Sequence, residues 1–398
     1  MKNFTYRTIC IIAATVVLFG CNSSNEQALP VIDVESAYNN ITGINLSEYA
    51  SSIDYIPLET GENSLIAGNT ISMRIEPADD KVAIYSPNTP SASDVLVFGH
   101  NGKFISKIGT QGRSDEEYTS VTSVISSGKN FEIIDRNKVV VYAGDGSFLK
   151  NIPIKRGGVM VGVKFFKLND GGYIYLTEDI IKHQDYITIT DSEGNETTKR
   201  IISEMEMAQT PGNIMPPKGG GVSFGIKRQN ESPMLVPGLD GHYVLMNEKD
   251  TVFSINGMAE ITPKYTVNYG KYTPGAYLNT FLFESDKFIA SRALFKAQLY
   301  PNIDKNYRFL YLIYDKKSKQ TRGMEVDPVT KSAGFINDLD KGGISFYPVA
   351  VKDGKMYQLI DAIKFMEFAE QSSSAKMKEV AATLNEDSNP VLVIVKLK

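Results

Sequence analysis

A hairpin signature that returns after 44 residues constrains this chain more than any other feature. Val95-Leu96-Val97-Phe98 is followed by Asn101-Gly102 and then Phe104-Ile105. Val139-Val140-Val141-Tyr142 is followed by Asp145-Gly146 and then Phe148-Leu149. Phe98 and Tyr142, Gly102 and Gly146, and Phe104 and Phe148 are each 44 positions apart. Short apolar runs bounded by Asn-Gly or Asp-Gly read as strands joined by tight turns, with the glycine taking the positive φ such turns demand. A hairpin unit recurring at that length has the spacing of a β-propeller blade.

Weaker copies continue down the chain. Tyr186-Ile187-Thr188-Ile189 leads through Asp191 to Gly194 into a polar strand, and Tyr243-Val244-Leu245-Met246 leads through Asn247 to Asp250 into Val252 to Ile255. Phe309 to Tyr314 leads into a strand around Met324 and Val326. Six blades are expected: Ile71 to Ile108, Val121 to Ile154, Val161 to Ile202, Val222 to Val267, Phe281 to Val326, and Ile344 to Lys398. Ile53 to Leu58 is left over, and beside Val391 to Leu397 it would close the ring with strands from opposite ends of the chain. The Pro- and Gly-rich piece from Pro211 to Gly221 reads as a surface connection, because Gly219-Gly220-Gly221 lacks the Gly-Lys-Ser/Thr ending of a phosphate loop. Met377, Val380, Ala381 and Leu384 instead share one helical face, with a further helical turn around Ile363 to Ala369, until Asn389-Pro390 stops the pattern. The expected fold is all-β: a six-bladed β-propeller over 51–398 with a short C-terminal helical insertion before the closing strand.

The first residues carry a different message. Lys2 and Arg7 precede the apolar stretch Ile9 to Phe19, which is too short to span a bilayer. Leu18-Phe19-Gly20-Cys21 resembles a bacterial lipobox. That resemblance implies a signal peptide over 1–20, lipid attachment at Cys21, and a tether and lead-in over 21–50. Cys10 would leave with the signal and Cys21 would be acylated, so the mature body has no thiol for a disulfide, a metal or a nucleophile. The net charge of -4 comes without a basic stripe, which argues against nucleic acid as a partner. No later apolar stretch is long enough to cross a membrane, so attachment would come from the lipid alone. The expected location is the bacterial cell envelope, at the outer membrane, with the side it faces left open.

Four segments carry a wider resemblance. They are Ile56-Pro57-Leu58-Glu59-Thr60, the run from Val97 through Gly102-Lys103-Phe104 and Gly112-Arg113 to Glu117-Tyr118, Asp250 to Phe253 with Pro263-Lys264-Tyr265 and Tyr269-Gly270, and Asn389 to Val393. Together they are similar to the six-bladed β-propeller lipoproteins of Bacteroides-type bacteria. The resemblance implies fold and envelope location rather than an activity. One departure stands out: the family usually has Gly-Pro-Gly-Glu-Tyr after the arginine, where this chain has Ser114-Asp115-Glu116-Glu117-Tyr118.

That loop is the first place to look for binding. Arg113 offers a planar fork, Glu117 an acceptor and Tyr118 a flat ring with a hydroxyl, a set suited to a sugar or an anionic glycan. The competing reading is that the same residues fix a blade junction. Asp115-Glu116-Glu117 lacks the alternating oxygen spacing of a calcium loop, and His100, His183 and His242 lack zinc-site spacing, so no metal is expected. There is no Gly-x-Ser-x-Gly elbow, no carboxylate pair is singled out, and the chain has no Trp for sialidase-type boxes. No catalytic residue and no cofactor are therefore expected. The reading is a non-catalytic recognition module for a glycan fragment or an envelope protein. Its alternatives are a polysaccharide lyase or glycoside hydrolase using carboxylates and Tyr, and a scaffold subunit of an envelope lipoprotein assembly.

Overall fold

Six antiparallel sheets form a closed ring in the computed structural model, which describes residues 28–87, 94–135, 137–154, 160–179, 181–209, 226–228, 232–246, 250–328 and 333–398. Each blade is a four-stranded meander from an inner to an outer strand. Blade 1 holds Arg74–Ala78, Lys81–Tyr85, Leu96–Gly99 and Phe104–Lys107, and blade 2 holds Ser123–Ser127, Asn130–Ile134, Lys138–Tyr142 and Phe148–Pro153. Blade 3 holds Met160–Lys167, Tyr173–Asp179, Gln184–Thr190 and Glu196–Glu204. Blade 4 holds Met234–Pro237, Tyr243–Met246, Thr251–Ile255 and Ile261–Asn268. Blade 5 holds Ala276–Glu284, Phe288–Phe295, Phe309–Asp315 and Gln320–Met324. Blade 6 takes Ala350–Lys352, Lys355–Ile360 and Val391–Leu397 from the C-terminal part of the chain, and its outer strand, Ala50–Pro57, from the N-terminal part.

That last pairing closes the ring. Val391 is opposite Pro57 and Leu397 opposite Ala50 in antiparallel register. Valine-rich central strands follow from the architecture, because both faces of such a strand pack against another blade. Val391, Val393 and Val395 enter the core between blades 5 and 6, while Leu392 and Ile394 enter the core between blades 6 and 1. Val140 and Tyr142 likewise face blade 1, and Val139 and Val141 face blade 3. Burying each such side chain contributes about 1.5–3 kcal/mol, so the contiguous apolar runs are what hold the blades together.

The repeat read from sequence is a repeated turn. Gly99 N–H donates to Lys103 O at 2.9 Å, Ala143 N–H to Ser147 O at 2.9 Å and Asp191 N–H to Asn195 O at 3.0 Å. Gly102 and Gly146 take φ of 81° and 89°. A Cβ on them would lie 2.2 Å from Pro57 O and 2.3 Å from Lys107 O, at the end of the preceding blade's outer strand. Phe98–Phe104 and Tyr142–Phe148 meet edge to face above these turns, with ring centroids 5.7 and 6.3 Å apart.

Two parts depart from the expected layout. The fourth blade begins at Met234, not Val222, which lies outside the described residues; Met207–Gln209 and Ile226–Arg228 instead pair as a separate two-stranded ribbon. The lead-in is also built into the fold. Val31–Asp33 adds a parallel strand to blade 4 and Ile41–Thr42 adds one to blade 5. Helix α1 (Val34–Asn39) lies between them, capped by Asp33 and burying Val34 and Ala37. The C-terminal insertion forms α2 (Ala362–Gln371) and α3 (Ala375–Ala381). Asp361 caps α2 by accepting from Ile363 and Lys364 N–H, and Ser374 caps α3 by accepting from Met377 N–H. Phe365, Ala369 and Met377 are buried against blade 6, and Tyr55 of the closing strand meets the Phe365 ring at 5.4 Å.

Candidate functional site

Connections alternate in character between the two ends of the ring. First-to-second and third-to-outer turns, such as Asp79–Asp80 and Asn101–Lys103, lie at one end and are two to five residues long. Blade-to-blade connections, the second-to-third loops and α2–α3 lie at the other, where 58–73, 108–122, 296–308, 333–349 and 361–390 are long described segments. Loops on a rigid scaffold are where binding residues concentrate, so the long-loop end is the place to search.

The structure separates the three residues that sequence grouped in the 109–118 loop. Tyr118 is fully buried and packs with Ile108, Val121, Phe131 and Tyr142 between blades 1 and 2. The Glu117 carboxylate folds back on its own loop, accepting from Ser114 N–H at 2.9 Å. Hydrogen bonds from the Ser114 backbone and hydroxyl hold it below the usual carboxylate range. Gly112 is where it folds to, since a Cβ there would lie 1.9 Å from Glu117 Oε2. Blade 2 then fixes the loop's carbonyls: Lys138 Nζ donates to Glu117 O at 2.8 Å, Tyr142 OH to Glu116 O at 2.7 Å and Asn151 Nδ2 to Asp115 O at 2.5 Å. Arg113 is exposed to solvent at the tip. Glu117 and Tyr118 thus tie the blade junction, and Arg113 is the member of the set presented outward. Cys21 lies outside the described residues.

A second region at the same end was not found from sequence. An open cleft of about 630 Å³ is walled by blade 5, Val326 and residues 333–349 of the connection that follows it, blade 6, α2 and the 58–73 connection. Arg292, on the second strand of blade 5, lies over two rings of the third strand, 5.1 Å from the Phe309 centroid and 5.6 Å from that of Tyr311. Its Nη1 donates to Tyr311 OH at 3.3 Å. Tyr311 meets Tyr347 edge to face at 5.2 Å, and Gln358 Oε1 accepts from Tyr347 N–H at 3.0 Å. Burial, reinforced by Tyr311, pushes the Tyr347 phenol well above its ordinary value, so it is neutral and remains a donor. Phe309, Ile71 and Val349 line the cleft with 47, 78 and 46% of their surface exposed. Asp361 and Glu367 also line it, both on the α2 side, and Asp361 is engaged in capping the helix.

Arg292 carries one faint sequence signal, a cation inside the apolar strand Phe288–Phe295. Nothing in the sequence joins it to Tyr347 or Gln358, because only ring packing brings blades 5 and 6 together. The histidines are dispersed: His100 and His242 lie in short turns at the opposite end, and His183 lies in a second-to-third loop of blade 3. Among the described residues no three acidic or histidine side chains converge in a metal-ion arrangement, and no helix is long and apolar enough to cross a membrane.

The family model described as a domain of unknown function, DUF4934, matches residues 29–396, and the chain belongs to that family. No curated protein matches the chain. Among solved structures it is similar to a Bacteroides fragilis protein assigned as exported, with 16% identity, a TM-score of 0.63, and coverage of 93% of this chain and 100% of that one. A DUF4221-family protein of Bacteroides vulgatus matches at 10% identity and a TM-score of 0.47, covering 91% and 99% of the two chains.

Proposed function

We propose that this DUF4934-family propeller is a non-catalytic recognition module of the bacterial envelope whose ligand is a glycan fragment seated in the cleft between blades 5 and 6. The observation that carries the reading is the cleft itself, where the Arg292 guanidinium lies over the rings of Phe309 and Tyr311, and Tyr311 in turn meets Tyr347 edge to face. Flat apolar faces beside a few fixed donors are what sugar rings require, since they present C–H faces and hydroxyl edges together. The two lining carboxylates come from one side of the cleft, whereas glycoside hydrolysis needs a pair flanking the bond. Binding is therefore preferred to catalysis. Arg113, exposed on the same end, serves as an outlying contact for longer ligands.

Placement in the envelope rests on the Leu18 to Cys21 lipobox resemblance and is supported by the likeness to an exported Bacteroides protein. Acylation at Cys21 would hold the propeller at the outer membrane. The test is a glycan array probed with the wild-type chain and with Phe309→Ala. Loss of retention with an unchanged melting temperature is the expected result, because Phe309 is half exposed and its removal opens little core. Equal retention by the variant would sink the cleft as the binding site.

A further inference from the structure

We infer that the ligand of this cleft carries an acetamido group, as N-acetylated hexosamines do, and that the amino half of the Gln358 side chain donates to its carbonyl. This inference rests on the cleft being the glycan site. Gln358 lies in the blade 6 strand Lys355–Ile360, between Met356 and Ile360 on the face that packs toward blade 5. Both of those neighbours are buried in the core between the two blades, so the amide interrupts an apolar row. A polar group in such a place costs free energy unless it is hydrogen-bonded. Half of the amide is satisfied, because Gln358 Oε1 accepts from Tyr347 N–H at 3.0 Å. A backbone N–H can only donate, which fixes the oxygen against Tyr347 and turns Nε2 away from it. Among the described residues Nε2 has no hydrogen-bond partner, and it is not one of the unpaired polar atoms sealed from solvent, which are His100 Nε2, Ser123 Oγ and Asn151 Oδ1. Its two N–H groups are therefore open to the cleft that Gln358 lines.

Other polar groups of the lining are already committed. Arg292 lies over Phe309 and Tyr311 and donates to Tyr311 OH, and Ser345 Oγ donates to the Asp327 carboxylate. Asp361 directs its carboxylate at the first N–H groups of α2, with hydrogen bonds of 3.1 and 3.3 Å to Ile363 and Lys364. An acceptor alone would serve Tyr347 N–H, so the amino group of Gln358 is surplus to the fold. With its oxygen engaged, the side chain offers a ligand donors. A carbonyl only accepts, whereas a hydroxyl also has a proton to place, so the carbonyl is the better match. The methyl group beside an acetamido carbonyl meets an apolar lining in Ile344, Val349 and Phe309.

The experiment uses the detergent-purified full chain and matched probes that differ only in carrying an acetamido or a hydroxyl group on the second carbon. Chitotetraose is titrated against cellotetraose by calorimetry. The methyl glycosides of N-acetylglucosamine and N-acetylgalactosamine are compared with those of glucose and galactose by saturation-transfer NMR. At least one acetamido member should bind about tenfold tighter than its hydroxyl partner, the scale of one hydrogen bond together with a covered methyl group. Gln358→Glu keeps an acceptor for Tyr347 N–H and removes the donors, so it should bring that pair level. Should this variant fail to fold, Gln358→Met, which also lacks donors, is read in its place. A preference that survives loss of the donors overturns the role of Gln358. Phe309→Ala should weaken both members of a pair alike. If hydroxyl members bind as tightly as acetamido ones and Phe309→Ala still weakens both, the acetamido inference falls while the glycan reading stands. If no probe of either kind binds, both fall.

Discussion

The two ends of the ring solve different problems with different chemistry. At the turn end the backbone dictates the residues. Four blades repeat one third-to-outer hairpin, closed by hydrogen bonds of 2.9, 2.9, 3.0 and 3.3 Å from Gly99, Ala143, Asp191 and Asn256. At the long-loop end side chains dictate the backbone. Asn389 alone donates to Glu59 O and Ser64 O at 2.7 Å each and accepts from Ile66 N–H at 2.8 Å, pinning the 58–73 connection to the closing strand. A repeated backbone turn leaves little room for variation, whereas loops held by individual side chains can differ from blade to blade and build a site. The cleft and Arg113 both lie at the second end.

The sharpest way to break this comparison is through a buried charge at the turn end. Glu284 closes the first strand of blade 5 with no exposed side-chain surface, held by Lys264 and Lys316 at 2.8 Å each and by Tyr265 OH at 2.8 Å. Glu284→Ala would leave two cations facing each other, at a cost of about 3–5 kcal/mol in urea denaturation. Burial raises the pKa of this carboxyl, but the hydrogen bonds from both lysines outweigh it, so the net shift is below the ordinary 4.5. With the folded value depressed, the stability it contributes is present above pH 4.5 and lost as pH falls through the lower folded value. Glu284→Gln should therefore flatten the acid limb of the stability curve. An unchanged acid limb would show that Glu284 is not the linked group.

A smaller effect separates two glycines of the same end. Both Gly146 and Gly128 have positive φ, at 89° and 57°. A Cβ on Gly146 would meet Lys107 O at 2.3 Å, while one on Gly128 would meet nothing within 4 Å. Gly128→Ala pays the left-handed strain alone, about 1 kcal/mol, and Gly146→Ala adds a backbone collision for a total of about 2–4 kcal/mol. Thermal unfolding of the two variants side by side checks the order. Equal losses would mean that the seat against the preceding blade has no energetic role.

This contrast also explains what the sequence could and could not reveal. The 44-residue spacing, the closing strand and the Met377 helix face were legible because periodicity and turn chemistry are local. Ring closure was legible because Ile53 to Leu58 had no partner within the first blade. The inner strand of blade 4 was misplaced, since nothing in Val222 to Met234 marks which apolar residues pair with Tyr243–Met246. The extra parallel strands at Val31–Asp33 and Ile41–Thr42 were hidden by their brevity. In the 109–118 loop, sequence placed the residues on an end face of the ring but could not tell which side chains point inward. Tyr118 was a candidate ring for stacking until the packing of blades 1 and 2 buried it. Arg292 and Tyr311 are cross-strand partners within blade 5, but Tyr347 could not be grouped with them, because its proximity depends on how the connection between blades 5 and 6 packs.

The smallest predicted effect decides how far the site extends across the long-loop end. Arg113 is exposed at the tip of a loop whose backbone is already held by Lys138, Tyr142 and Asn151. Arg113→Ala should therefore change stability by no more than about 0.5 kcal/mol, as surface substitutions generally do. If longer glycans run from the cleft toward blade 2, the same variant should weaken their retention by about two- to threefold, the scale of one screened contact, and leave short fragments unaffected. Retention of long and short fragments on one array, read beside the melting temperature, separates the cases. A fall in stability would return Arg113 to the junction it borders. Unchanged retention at every length would confine recognition to the cleft, because a charge that touches the ligand cannot be removed without altering how tightly the ligand is held.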